Sequence, residues 1–149
     1  MNGWYGLLAF LIGFVVAQFW KFVAGLVTGR SKAAMKNFKT AIGYMMQSGG
    51  MPSGHAASMT ALTTYIGLAS GFDSGLFALA AATTIIVIYD AIHVRYAVGE
   101  QGKALNGLLK DGKKPEIPVV EGHTVGEVVV GAILGIIIGA LVFYMFLST

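Results

Sequence analysis

Long apolar stretches separated by short polar ones set the first expectation for this chain. Residues Trp4 to about Val27 form one such run, long enough for the ~20 residues that cross a hydrocarbon core. No basic segment precedes the run and no small-residue cleavage site follows it, so it reads as a retained span, not a signal peptide. A second span is expected from His55 to about Ser70, short and rich in Ala, Thr and Ser. After the tight connection Gly71-Phe72-Asp73-Ser74, a third runs from Gly75 to about Val94. Residues 96 to 122 form a long polar segment, with a short helix expected in its central part and a loop from Lys113 to Pro118. The last span opens at Gly122 and continues to about Leu147.

Ser31 to Met46 has a different pattern. Lys32, Lys36 and Lys39 fall within roughly 60° of one another on a helical wheel, while Met35, Phe38, Ile42 and Met45 occupy a separate arc. This is the signature of an amphipathic helix lying in the membrane interface, with Ser31 available as its cap. Gly131, Gly135 and Gly139 recur at four-residue spacing and let a second helix approach closely, within the chain or in a homodimer. The expected fold is therefore an all-α membrane protein of four transmembrane helices plus one interfacial amphipathic helix, in a single domain covering residues 1–149.

Composition supports this class. Of 149 residues, 56% are hydrophobic and only 11% charged, with a mean hydropathy of +0.73, which makes a soluble domain improbable. Cysteine is absent, so disulfides, thiolate chemistry and Cys-based metal sites are excluded. The distribution of charge is more informative than the net +3. All ten Lys and Arg residues lie either between Lys21 and Lys39 or between Arg95 and Lys114. With four spans these regions share one side, which the positive-inside rule makes the cytoplasm. A bacterial inner-membrane protein with its polar ends facing inward is expected, and nothing points to nucleic acid.

The chemistry-bearing residues cluster at those same ends. Pro52-Ser53-Gly54 runs into a helix whose first free N–H groups favour an anion, and His55 adds a proton donor. His123 and Glu127 stand four residues apart, so the carboxylate can fix the tautomer of the imidazole and strengthen its other nitrogen as a nucleophile. Asp90, His93, Arg95 and Glu100 are too many ionisable groups to face lipid. Lys21, near the end of the first span, either snorkels to the headgroups or serves as a further cation of the site.

Gly49-Gly50-Met51-Pro52-Ser53-Gly54-His55, Tyr89-Asp90-Ala91 with Val94-Arg95, Gly99-Glu100-Gln101, Asn106, and Gly122-His123-Thr124 with Glu127-Val128 form an ordered set. It resembles a divergent branch of the type 2 phosphatidic acid phosphatase and vanadium haloperoxidase superfamily, made up of small bacterial and plastid membrane proteins. The resemblance implies a membrane lipid phosphatase that forms a phosphohistidine intermediate and needs no metal or cofactor. By that resemblance His123 would attack phosphorus, Glu127 would orient it in place of the usual aspartate, and His55 would protonate the leaving alkoxide. Arg95, Ser53, Gly54 and Lys21 would hold the phosphoryl oxygens of a lipid phosphate or diphosphate, supported by Asp90, Glu100, Gln101 and Asn106. Two departures are evident. Arg95 precedes His123 by twenty-eight residues where the superfamily's usual spacing is six, and the usual first motif, a lysine followed by Arg-Pro, is absent.

Two other classes fit parts of the pattern. Asp90, His93, His123 and Glu127 would suit a divalent metal in a metal-dependent hydrolase. A lipid-headgroup binder or transporter subunit would keep the cradle for recognition alone. The orientation is directly testable because the chain has no cysteine. In intact cells an impermeant maleimide should label Ser74→Cys and leave Lys113→Cys protected until the membrane is opened. The reverse pattern would place the basic regions outside.

Overall fold

The computed structural model describes residues 3–27, 49–109, 119 and 122–147. The expected interfacial helix, Ser31 to Met46, lies outside the described residues. All described regular structure is helical: α1 (Gly3–Val27), α2 (Gly54–Ser70), α3 (Gly75–Tyr89), a π-helical turn (Asp90–Val94), α4 (Arg95–Leu108) and α5 (Val125–Met145).

Three stretches among these residues are long and apolar enough to cross a bilayer: Gly3–Val27, Gly75–Leu108 and Val125–Met145. Among the described residues a fourth span would have to be α2, whose 17 residues extend about 25 Å at 1.5 Å per residue, short of the ~30 Å hydrocarbon core. The connection after α2 is as tight as its sequence suggests. Gly71 takes a φ of 90°, Ser74 donates to the Gly71 carbonyl at 2.7 Å, and the Ser74 hydroxyl accepts the Phe77 N–H at 3.1 Å to cap α3.

One boundary differs from expectation. The third helical stretch does not stop at Val94 but continues without a break to Leu108, taking in the first half of what the sequence presents as a polar segment with a short central helix. Apolar content marks where a helix meets lipid, not where its hydrogen bonds end. At about 50 Å for 34 residues, this stretch outreaches the hydrocarbon core, and polar residues are tolerated in the part that emerges.

α2 is the central element, packed against α1, α3 and α5. Its inward surface is built of small residues, with Ala56, Ala57, Ser58 and Ala61 all buried. Against it lie the small residues of α1, where Gly6, Ala9, Gly13 and Ala17 share a buried face, and the glycine stripe of α5. The stripe is used within the chain. A Cβ at Gly131 would stand 2.5 Å from the Ser53 carbonyl oxygen, and one at Gly135 or Gly139 would strike the carbonyl of Ala57 or Ala61. α5 therefore runs parallel to α2, and backbone meets backbone.

α1 and α3 run the other way. Gly6 packs on Tyr65 near the end of α2, while Gly13 packs on Ala57 and Ala61. On α3, Thr84 shares a 2.7 Å hydrogen bond with Thr63 and donates to the Met59 carbonyl at 3.4 Å, while Thr63 donates to that of Ala80. Such pairs satisfy polar groups that lipid cannot. One end of the bundle is closed by aromatic residues, with Tyr5 stacked on Phe146 at 4.4 Å and Tyr65 edge-on to Phe143. The opposite end gathers the C-terminal part of α1, the start of α2, the π turn and the start of α5.

Because backbone atoms cannot yield as a flexible side chain can, Gly135→Ala should overpack the α2–α5 contact at a cost on the order of 1–3 kcal/mol. Gly126→Ala, with nothing within 4 Å of the added carbon, is the control. Thermal unfolding in detergent should show a lowered midpoint for Gly135→Ala alone; equal midpoints would contradict the packing.

Candidate functional site

The start of α2 is set by its turn. Gly49 and Gly50 take φ values of 86° and 84°, a region side chains disfavour, and a Cβ at Gly50 would stand 3.1 Å from the Lys21 side chain. Pro52 and Ser53 follow, fully buried. Ser53 is the N-cap of α2: its hydroxyl accepts the Ala56 N–H at 3.4 Å, and its own N–H donates to the Glu127 carbonyl at 3.0 Å. Ser53 has zero exposure and ties α2 to α5 through its N–H. The helix terminus continues at Gly54 and His55.

The start of α5 is a capping box. Thr124 accepts the Glu127 N–H at 3.3 Å, and Glu127 Oε2 accepts the Thr124 N–H at 3.1 Å. The same carboxylate oxygen lies 3.1 Å from His123 Nδ1. Glu127 is thus fixed by the helix terminus before it fixes the imidazole. His123 is 6% exposed. The signal for the cap, Thr-x-x-Glu, is legible in the sequence, yet reading Glu127 only as a histidine partner hides it.

The π turn supplies the third wall. Arg95 N–H bonds to the Asp90 carbonyl five residues back, and Arg95 Nε donates to Asp90 Oδ2 at 2.7 Å. Within the turn the Ala91 carbonyl accepts the His123 N–H at 3.0 Å. Gly122 makes this approach possible, since a Cβ there would strike the backbone of Tyr96 and Arg95. Single π turns occur often at functional sites. Here the turn holds the arginine and docks the histidine, and no periodicity in the sequence announces it.

His55, Arg95, His123, Asp90 and Lys21 come close enough to interact electrostatically around His55. Lys21 also faces the Glu127 carboxylate and is 8% exposed, so it points into the bundle and does not snorkel. Other expected residues lie further out. Glu100 is exposed and pairs with Lys103 at 3.0 Å, and both line a cavity of about 180 Å³ that reaches Thr124 and Glu127. Gln101 is exposed on α4, and Asn106 is half-buried beyond it. His93, expected to face the bundle interior or water, is exposed and stacks on Tyr89 at 4.3 Å. Asp90, His93, His123 and Glu127 therefore do not converge, and among the described residues no group of three or more His, Asp or Glu is placed to hold a metal ion.

Near His55 the fold thus gathers Arg95 and the buried, carboxylate-backed His123. The family model described as "Divergent PAP2 family" matches residues 4–138. This chain belongs to the divergent PAP2 family. A relative in Bacillus subtilis (strain 168), named "Uncharacterized membrane protein YuiD", is 34% identical, with the match covering 67% of this chain and 74% of that protein. No solved structure matches. The family match spans every element of the site, from α1 through the capping box, and with three bilayer-length helices it makes the chain a multi-pass membrane protein.

The docking of Gly122 and His123 on the π turn can be tested by hydrogen exchange. Gly122→Ala should speed exchange of the His123 amide by about tenfold or more, since overpacking against backbone costs on the order of 1–3 kcal/mol. Gly107→Ala, with open space around it, should leave that exchange unchanged. Unaltered exchange in Gly122→Ala would show that the Ala91 bond does not hold the turn.

Proposed function

We propose that the protein is a membrane lipid phosphatase acting on a lipid phosphate or diphosphate through a phosphohistidine at His123. The observation that carries this reading is the 3.1 Å contact between His123 Nδ1 and a Glu127 carboxylate already locked in a capping box. With a proton held on Nδ1, the lone pair of Nε2 is the nucleophile. It attacks phosphorus, the bond to the leaving oxygen breaks, and His55 gives that oxygen its proton. Water then attacks the phosphohistidine, His55 takes back a proton, and phosphate leaves.

Arg95 is suited to the equatorial oxygens. Asp90 engages its Nε, which leaves the outer edge of the guanidinium fork for a phosphoryl group. Lys21 and the first N–H groups of α2 add positive potential where charge develops. In this reading α2 is the fourth span, kept short because its start is buried in protein, where polar backbone at membrane depth is shielded. The basic regions hold the site at the cytoplasmic face of a bacterial inner membrane, giving it access to inner-leaflet lipids.

The assigned roles predict different responses to the leaving group. His123→Ala should abolish turnover of every substrate. His55→Ala should lose about 10²- to 10⁴-fold with an alkyl leaving group, the usual range for general acid catalysis, and recover most of it with a nitrophenolate that needs no proton. Equal rescue of both variants would remove the assignment. Loss of activity on chelation would favour a metal-dependent hydrolase, and binding of lipid phosphate without turnover would favour a headgroup receptor.

A further inference from the structure

The helices packed around α2 are not held alike. α1 and α5 meet it through rows of small residues that bring backbone onto backbone, whereas α3 buries a single side chain, Thr84. The one glycine of α3, Gly75, has nothing within 4 Å of an added Cβ, so it does not draw the helix onto a neighbour. Leu79, Ile85 and Ile86 are about two-thirds exposed. In lipid such apolar surface gains little by packing on protein, so it does not fix how far α3 slides along α2. A hydroxyl pair does. Thr63 Oγ1 and Thr84 Oγ1 lie 2.7 Å apart, Thr84 reaches the Met59 carbonyl at 3.4 Å, and Thr63 reaches that of Ala80 at 3.3 Å. Whichever hydroxyl donates across the pair, the other's proton goes to a carbonyl of the facing helix. Two hydrogen bonds therefore join α2 to α3 in either arrangement, at one axial register.

That register is transmitted to the site. The helical stretch runs unbroken from Gly75 to Leu108. Two turns beyond Thr84 the Ala91 carbonyl accepts the His123 N–H, and Arg95, held by Asp90, stands about 16 Å along the axis from Thr84. A slip of one residue would displace both by about 1.5 Å, enough to break the Ala91 bond. The start of α3 is tethered by the turn at Gly71 to Ser74, with Phe72 edge-on to Phe77 at 5.1 Å, yet a tether at one end leaves the other free to pivot. The threonine pair lies between that tether and the π turn. We propose that Thr63 and Thr84 are positioning residues, which fix the register of α3 against α2 and thereby hold the Ala91 carbonyl and Arg95 at the site. The role of Arg95 as a phosphate ligand rests on the phosphatase reading; the hold on the π turn does not.

Amide exchange and oxyanion binding, measured on the full chain in nanodiscs, test this together. Thr84→Val removes a hydroxyl and keeps the branched shape. Interhelical hydrogen bonds in membranes are individually modest, so exchange of the His123 amide should quicken by about three- to twentyfold. The Ser53 amide, held on α5, should exchange as before. Thr84→Ser, which keeps the hydroxyl, should restore the slow rate at His123. Orthovanadate, an oxyanion of phosphate size, should bind Thr84→Val about threefold or more weakly, and that loss should vanish when Arg95→Gln is already present. Unchanged His123 exchange, equal quickening at His123 and Ser53, or a Thr84→Val loss that persists beside Arg95→Gln would overturn the proposal. The expected exchange pattern in a protein that binds no orthovanadate would keep the pair's hold on the π turn and sink the phosphate site. Orthovanadate bound through Arg95 with equal affinity in wild type and Thr84→Val would do the opposite.

Discussion

The close approach of α5 to α2 is the constraint on which the remaining geometry depends. Gly131, Gly135 and Gly139 set backbone on backbone along two turns of each helix, so the start of one helix lies directly beside the start of the other. Ser53 can then donate to the Glu127 carbonyl, and two helix termini that would each leave N–H groups unpaired share one polar region. A side chain at any of the three glycines would separate the very termini that carry His55 and His123. In lipid, where burial of apolar surface gives little preference for helix over bilayer, small residues and interhelical hydrogen bonds are the available source of such precision.

The π turn completes the site from the third side. One extra residue in the hydrogen-bonding ring between Asp90 and Arg95 leaves the Ala91 carbonyl to accept the His123 N–H, while Asp90 holds the guanidinium by its inner nitrogen. The segment before α5 thereby docks on a helix that is distant in sequence. Arg95, twenty-eight residues before His123 in sequence, is thereby brought near it. The continuous helix from Gly75 through the π turn, not a local motif, carries Arg95 to its place.

Much of this was legible in the chain, for physical reasons that differ by element. The apolar runs gave α1, α2 and α5 to within a few residues because lipid-facing helices are written in composition. The end of the helical stretch that begins at Gly75 was not legible, since it persists to Leu108 after the apolar pattern ceases. The glycine stripe announced a close contact, but only the fold shows α2 as the partner. Ser53 illustrates a double signal: a serine before a helix can mark a cap or an anion cradle, and the fold shows the cap. Lys21 turned inward because Glu127 and the Gly50 turn give it a place within the bundle. The π turn depends on the docking of His123, so nothing local encodes it.

The central claim, that His123 becomes a covalent carrier of phosphate, is tested most directly by rapid quenching with a lipid phosphate labelled in its terminal phosphate. Label should appear on the protein within a single turnover, be lost in acid and survive in base, and map to the peptide containing His123. Turnover that proceeds with no labelled protein at any time, or label on a residue other than His123, would contradict the account.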